Sequence, residues 1–252
     1  MIENNFKELV DIVRRLRVEC PWDREQTNDS IKSATIEEAY EVVESIDNKD
    51  YDELKKELGD LLLHVVFHSI IAEGENKFKL EEVIDSIKAK LIRRHPHVFG
   101  NVEVNNADEV KKNWEAIKLS EGRESVLDGV PENLPALQRA YRLQEKASKV
   151  GFDWSSKADV WEKVNEEIEE MHKSEKEESH QDLENEVGDV FFALVNYSRF
   201  LEINPEYALR NSIKKFIKRF NYIEDKINKS GRKIHESNLE EMDKYWNESK
   251  RF

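Results

Sequence analysis

The sequence predicts an all-α protein made of two copies of one helical unit, and three observations carry that prediction. Gly and Pro number only 8 and 5 among 252 residues, so long stretches lack chain breakers and few tight hairpin turns can form. Apolar residues recur at helical spacing along most of the chain instead of alternating as they do in strands. A pattern of acidic residues around a glycine occurs twice, at one fixed offset.

The periodicity places helices in the first half over 3–18, 29–47, 51–73, 80–94 and 107–119. Their junctions fall at Cys20-Pro21, at the polar Asn48-Lys49-Asp50, at Gly74, and at Pro96 followed by Gly100. The second half repeats the order over 133–149, 157–173, 180–202, 206–229 and 239–249. Two Gly and two Pro between Ser120 and Pro135 read as a linker. The expected domains are therefore 1–119 and 133–252, joined by 120–132.

The repeat is the most informative feature. Glu37, Glu38 and Glu41 are followed by Glu57, Gly59 and Asp60; Glu166, Glu167 and Glu170 are followed by Glu186, Gly188 and Asp189. Each member lies 129 residues from its counterpart. An apolar run follows each second cluster, LLLHVVFHS after Asp60 and VFFALVNYS after Asp189. WEAIK from Trp114 and WNESK from Trp246 close the two halves. A period of this length signals duplicated domains, not a solenoid of short repeats.

Composition bounds the function. Asp and Glu number 54 against 40 Lys and Arg, a formal net charge of −14, which disfavours nucleic-acid polymers and anionic membranes as partners. The charged fraction is 37%, but the spaced apolar runs separate this chain from disordered ones. Cys20 is the single cysteine, so no intrachain disulfide can form. No segment reaches the roughly 18 apolar residues that span a bilayer, and MIENNFKELV has no signal-peptide core. The expectation is a soluble cytoplasmic protein.

Residues three or four apart share a helix face, so Glu38 and Glu41 project together, as do Glu57 and Asp60. The short connection at 48–50 makes the two helices antiparallel neighbours, bringing the pairs face to face. Four converging carboxylates repel unless some are protonated or a cation joins them. An all-oxygen set suits Mg²⁺, with Mn²⁺ a possible substitute. A solvated acidic face is the plainer reading of any single such pair. The recurrence of the set, its position beside an apolar run, and the equivalent mid-helix Gly59 and Gly188 favour metal binding. A repeated glycine there suggests close approach of a backbone or ligand.

The acidic pattern resembles that of the MazG-type nucleoside triphosphate pyrophosphohydrolases. Similar marks are Cys20-Pro21-Trp22-Asp23, Arg93-Arg94-His95-Pro96-His97-Val98-Phe99, Leu134-Pro135-Ala136-Leu137 and Val150-Gly151-Phe152-Asp153-Trp154. The resemblance covers nearly the whole chain in the two-domain form. It implies two MazG-like domains with four-helix-bundle cores, a homodimer, Mg²⁺, and hydrolysis of nucleoside triphosphates to monophosphate and pyrophosphate. Under it, Glu38, Glu41, Glu57, Asp60, Glu167, Glu170, Glu186 and Asp189 are candidate metal ligands. Glu37 and Glu166 are candidates to polarise water or orient a ligand.

Phosphates also need cations from the protein. Lys214, Lys215, Lys218 and Arg219 form a basic stripe with Phe216 and Phe220 between its members. Lys90, Arg93 and Arg94 are its first-half counterpart. Trp114 and Trp246 are candidates to stack on a base, with Lys118 and Lys250 one turn beyond them. An ordinary solvated basic face and core-anchoring tryptophans are the competing readings. The histidines read as structural: Ala193 stands at the position equivalent to His64, which argues against ligation there. Glu169-x-x-His172 is half of a di-iron motif, but Tyr40 and Val43 replace it in the first half. A catalytically silent nucleotide-binding regulatory dimer is the alternative function, and a di-iron carboxylate bundle is a third.

Overall fold

The computed structural model describes residues 2–107, 109, 110, 113, 114, 117, 121, 125–176 and 179–251. Among these, every regular element is helical. The chain divides into two compact units, Met1–Ile117 and Lys118–Phe252. The division lies close to the repeat boundary read from the sequence.

The first unit contains α1 (Ile2–Glu19), α2 (Pro21–Glu25), α3 (Lys32–Asn48), α4 (Tyr51–Gly74), α5 (Leu80–Arg94) and α6 (Pro96–Phe99). The second contains α7 (Ala136–Ser148), α8 (Lys157–Ser174), α9 (His180–Phe200), α10 (Pro205–Lys229) and α11 (Leu239–Ser249), with a 3₁₀ turn at Ile234–Glu236. The long helices follow the sequence periodicity to within a few residues. Helix α3 starts later than expected, because 28–31 form a turn. Cys20-Pro21 and Pro96 were read as breaks, yet each proline opens a short helix, α2 and α6. Proline fits there because the first helical turn has no internal acceptor for its missing N–H. The helix expected over 107–119 lies partly outside the described residues; Asn113, Trp114 and Ile117 within it are helical.

Local chemistry sets the helix ends that matter for the site. Lys49 takes a left-handed φ of 57° and stops α3, and the Asp50 side chain then accepts from the Glu53 amide at 3.0 Å to start α4. This reversal turns α4 back along α3. In the second unit Ser156 caps α8 by accepting from Asp159 N, and Ser179 caps α9 by accepting from Asp182 N. The pairs α3–α4 and α8–α9 are the most extensive helix contacts of their units.

The first core gathers Val10, Val13, Ile31, Val66, Phe67, Ile70, Ile71 and Leu80, with Phe6, Leu9 and Leu63 against it. Helix α4 is thus divided: its first half carries acids and its second half fills the core. In the second unit Val160, Val164, Ala193, Val195, Ile223 and Ile227 are buried. Val126 is held against α7, whose buried Lys146 donates Nζ to the Val126 carbonyl at 3.0 Å.

Gly59 and Gly188 differ from expectation. A methyl group built on either meets no atom within 4 Å. No backbone approaches them, because both lie on the exposed side of their helices. Ile71 is only 2% exposed, so Ile71→Ala is expected to cost about 2–5 kcal/mol, read as a lowered urea midpoint for unfolding of the first unit.

Candidate functional site

Each helix pair brings the predicted acids together. In the first unit, carboxylate oxygens of Glu38, Glu41 and Glu57 all lie within 4.8 Å of one another. In the second, Glu167, Glu186 and Asp189 do the same. The fourth members, Asp60 and Glu170, are exposed but near enough to act electrostatically: Asp60 on Glu38, and Glu170 on Glu186. Six of the eight predicted positions therefore form the two clusters, and Asp60 and Glu170 act on them electrostatically. Glu37 and Glu166 are exposed on the flank of each.

The sequence dictates this placement. Glu38 and Glu41 are one turn apart on α3, and Glu57 and Asp60 one turn apart on α4. Glu57 and Glu167 are each only 8% exposed, at the edge where the acid face meets the apolar core. Burial and neighbouring carboxylates disfavour ionisation. Glu57 is pushed up to about 7 by burial, then by its hydrogen bond with Glu53 and the charge of Glu41. Glu38 is raised by burial and then by Glu41 and Asp60. Glu186 is raised by burial and then by Glu170, Asp189 and Glu167. Oxygen donors clustered at this spacing, where burial and then neighbouring carboxylates disfavour the charged form of Glu38, Glu57 and Glu186, fit a hard divalent cation.

The two clusters are not copies in their surroundings, and the differences escaped the sequence reading. In the second unit Lys163 donates to Glu166 at 2.7 Å and lies 2.8 Å from Glu167. These two partners hold its own pKa well above the usual lysine value. Ala34 stands at the equivalent first-half position. The signal was present, since Lys163 precedes both acids by three and four residues. Glu166 is therefore tied to a cation beside the cluster.

In the first unit a polar chain ends on the acids. Burial, with His64 adding to it, lowers His68 and keeps it neutral. Its Nδ1 donates to Asn28 Oδ1 at 2.6 Å, leaving Nε2 to accept from the Thr35 hydroxyl at 2.8 Å. Thr35 Oγ1 in turn receives His64 Nδ1 at 2.9 Å, and His64 Nε2 faces Glu38 Oε1 at 3.9 Å. His64 is thus a neighbour of the cluster, while its non-repetition argues against ligation and the converging ligand group leaves it out. The second-half counterparts are Lys157, Val164, Ala193 and Tyr197. No signal in a single sequence joins Asn28, Thr35 and the two histidines, which lie on three different segments.

The basic and aromatic candidates form separate groups. Arg219 stacks over the Trp246 ring at 5.4 Å, and Phe216 lies 5.5 Å from Trp246 and 6.0 Å from Phe220. Lys214, Lys215 and Lys218 are exposed on the same helix, α10. Lys250 is exposed and donates to Asn247 at 2.8 Å. Trp114 rests against His95 at 6.1 Å between centroids, and His95 lies 5.7 Å from His97. Arg93 and Arg94 end α5 just before this group. Lys118 lies outside the described residues. His172 is exposed and pairs with Glu175 at 2.8 Å, so it serves no di-iron set.

The raised Glu57 has a consequence for stability. A carboxyl whose folded value lies above its unfolded value binds more protons when folded, so stability falls as pH rises between the two values. In EDTA, the first unit should melt at lower temperature as pH rises from about 4.5 to about 7. Added Mg²⁺ should recover the loss, and Glu57→Gln should flatten the dependence. Thermal denaturation at a series of pH values, with and without metal, checks both.

The comparisons with known proteins agree with this geometry. The MazG nucleotide pyrophosphohydrolase domain matches residues 26–99 and again 156–223, which bracket the two acidic clusters. The nucleoside triphosphate pyrophosphohydrolase/pyrophosphatase MazG of Thermotoga maritima is 44% identical over 250 residues, covering 97% of this chain and 95% of its own. The nucleoside triphosphate pyrophosphohydrolase of Escherichia coli K12 is 41% identical over 257 residues, covering 98% of each chain. With the domain found twice on a duplicated all-helical scaffold, the chain belongs to the MazG nucleotide pyrophosphohydrolase family.

Proposed function

We propose that this protein hydrolyses nucleoside triphosphates to nucleoside monophosphate and pyrophosphate, with Mg²⁺ held by the carboxylates of its second half. The observation that carries the reading is the convergence of Glu167, Glu186 and Asp189 within 4.8 Å, beside the cation of Lys163. The names of the relatives from Thermotoga maritima and Escherichia coli support the reaction class. Mn²⁺ is expected to substitute, because an all-oxygen set discriminates weakly between the two.

Glu167, Glu170, Glu186 and Asp189 would hold the cation, which when bound would supply charge neutralisation for the polyphosphate and acidify water. Lys163 adds an ammonium at the same edge, and exposed Glu166 holds Lys163 in place through its hydrogen bond. Glu37 and Glu166 are the carboxylates proposed to polarise water or orient a ligand. Lys214, Lys215, Lys218 and Arg219, with Trp246 and Lys250, form the cationic and aromatic surface proposed for substrate. Arg93, Arg94, Trp114 and Lys118 are proposed for the same role in the first half.

The first-half set of Glu38, Glu41, Glu57 and Asp60 is proposed as a weaker, more selective or regulatory site. Its surroundings differ in charge: an alanine replaces the lysine, and a histidine stands beside Glu38. A homodimer is proposed to cover Leu58, Leu62 and Val65 of α4 and Phe191 and Leu194 of α9, which are exposed in the single chain. House-cleaning or regulation of nucleotide pools is the biological role such a hydrolase would serve in the cytoplasm.

Product analysis by chromatography should find monophosphate and pyrophosphate, with no diphosphate intermediate, and excess EDTA should stop turnover. Paired Glu167→Gln and Glu170→Gln changes should lower turnover by about a hundredfold or more while the helical signal persists. The pair Glu38→Gln and Glu41→Gln should leave substantial turnover of common triphosphates. The reverse pattern would assign catalysis to the first half, and orthophosphate as initial product would exclude pyrophosphohydrolysis.

A further inference from the structure

Helices α3 and α4 carry a continuous polar row beside the first acidic cluster. Thr35 precedes Glu38 by one turn on α3, and His64 and His68 follow Asp60 at successive turns of α4. Asn28, in the turn before α3, closes the far end of the row. Val164 and Ala193, the second-half counterparts of Thr35 and His64, are apolar. The row is therefore an addition to the first unit, and the helix pair forms without it.

The hydrogen bonds fix where each proton of the row lies. Asn28 Oδ1 is an amide oxygen and only accepts, so His68 carries its hydrogen on Nδ1. Burial keeps that ring neutral, and its Nε2 takes the single hydroxyl hydrogen of Thr35 at 2.8 Å. The Ile31 carbonyl, 3.2 Å from the same hydroxyl, already accepts the Thr35 amide. With its hydrogen given to His68, Thr35 Oγ1 accepts from His64, which places the hydrogen of that neutral ring on Nδ1. His64 Nε2 is left as a bare lone pair. It makes no hydrogen bond among the described residues, and it faces Glu38 Oε1 across 3.9 Å. Only 13% of the His64 side chain and 22% of the Glu38 side chain are exposed, so few bulk waters compete for this gap.

Two acceptors facing each other at that distance repel, and the gap is too long for a direct hydrogen bond. A water oxygen about 2.8 Å from each atom spans it and gives one hydrogen to each. Glu38 also belongs to a cluster whose oxygens fit a hard divalent cation, and Mg²⁺ keeps several of its waters when carboxylates bind it. Such a water is a stronger donor than a free one, because the ion draws charge from its oxygen.

We propose that His64 is a positioning residue of the first-half cation site, its Nε2 accepting a hydrogen bond from a water carried by Mg²⁺ while Glu38, Glu41 and Glu57 hold the ion. The inference rests on the cation site proposed for the first half and deepens it: that site takes a hydrated ion. His64 is not a ligand, in keeping with its place outside the converging carboxylates. Thr35, His68 and Asn28 set the orientation of the ring and the nitrogen that carries its hydrogen, as partners of metal-site histidines do. Ala193 has no acceptor to offer, so the second cluster lacks this contact.

Calorimetric titration with MgCl₂ at pH 8, above the ordinary imidazole range, tests the proposal. The full chain carries Glu167→Gln and Glu170→Gln throughout, so that the heat reads the first half. Adding His64→Ala should weaken Mg²⁺ binding by about tenfold, whereas His64→Gln, which restores an acceptor, should stay within about threefold of the parent. Nitrogen NMR of ¹⁵N-labelled histidine, with the His64 signals assigned by their loss in His64→Ala, should find the hydrogen on Nδ1 and Nε2 bare. In Thr35→Val the ring should lose that fixed tautomer and Mg²⁺ should bind more weakly; this variant and His64→Gln carry the test if His64→Ala fails to fold by circular dichroism. Unchanged Mg²⁺ affinity in His64→Ala, or hydrogen found on His64 Nε2 in the parent, overturns the assignment and leaves the first-half cation site standing. Equal losses in His64→Ala and His64→Gln also overturn it, since the ring would then act through packing. If the parent takes up no Mg²⁺ at its first cluster, the cation site itself falls and the role of His64 with it.

Discussion

Mutual repulsion among carboxylates, held at the edge of an apolar core, is the constraint on which the rest of this protein depends. Each unit forces acids from two helices to within 4.8 Å, an arrangement the helices would not adopt on electrostatic grounds alone. The force that holds them there comes from the same helices about two to three turns further on. In α4, Val66, Phe67, Ile70 and Ile71 are buried, and their removal from water fixes the helix against its neighbours. The acids are carried into proximity by residues that take no part in their chemistry.

That division of labour explains why the two halves can share a scaffold and differ in what surrounds their acids. The acids are set by helix spacing and the register of one reversal, and both are repeated in the sequence. The groups that modulate them come from positions free to vary. At one such position the second half places Lys163, where the first has Ala34. At another the first half places His64, joined through Thr35 to His68 and Asn28, where the second has Ala193. A cation within 2.8 Å of Glu167 lowers the repulsion that an anionic substrate meets. The first half has instead His64 Nε2 at 3.9 Å from Glu38 Oε1, held in place by its hydrogen bond to Thr35. Duplication followed by divergence at these few positions yields two acidic clusters with unlike surroundings on one helical scaffold.

What could be read from sequence follows the same line. The helices, the eight acids and their pairing were legible, because each depends on spacings of three or four residues and on a repeat that separates pattern from chance. The short helices at Pro21 and Pro96 were not, since proline is both a breaker and a good first residue, and only the path of the chain decides which. Gly59 and Gly188 were misread for a related reason. Their recurrence is real, but each faces open space, so repetition marked a position beside the acids and not a backbone crossing. Lys163 was within reach of the i, i+3 and i, i+4 rule. The Asn28–Thr35–His64–His68 chain was beyond it, because its hydrogen bonds join side chains between 29 and 40 residues apart with no counterpart in the repeat.

The surface makes the last link between composition and assembly. A chain with 54 acids and a net charge of −14 nevertheless exposes Leu58, Leu62, Val65, Phe191 and Leu194. Leu62 and Val65 are the repeat counterparts of Phe191 and Leu194, so the exposure is a property of the unit and not an accident of one helix. Solvent-facing apolar rows on the very helices that carry the acids would be covered if a second copy packed there. Such packing would also bury the outer side of α4 and α9 and stiffen the helices that hold the carboxylates in place. Because repulsion within each cluster works to spread these helices, added packing on their outer faces and a cation between their inner faces act in the same direction. On this physical ground assembly and metal binding are expected to reinforce one another.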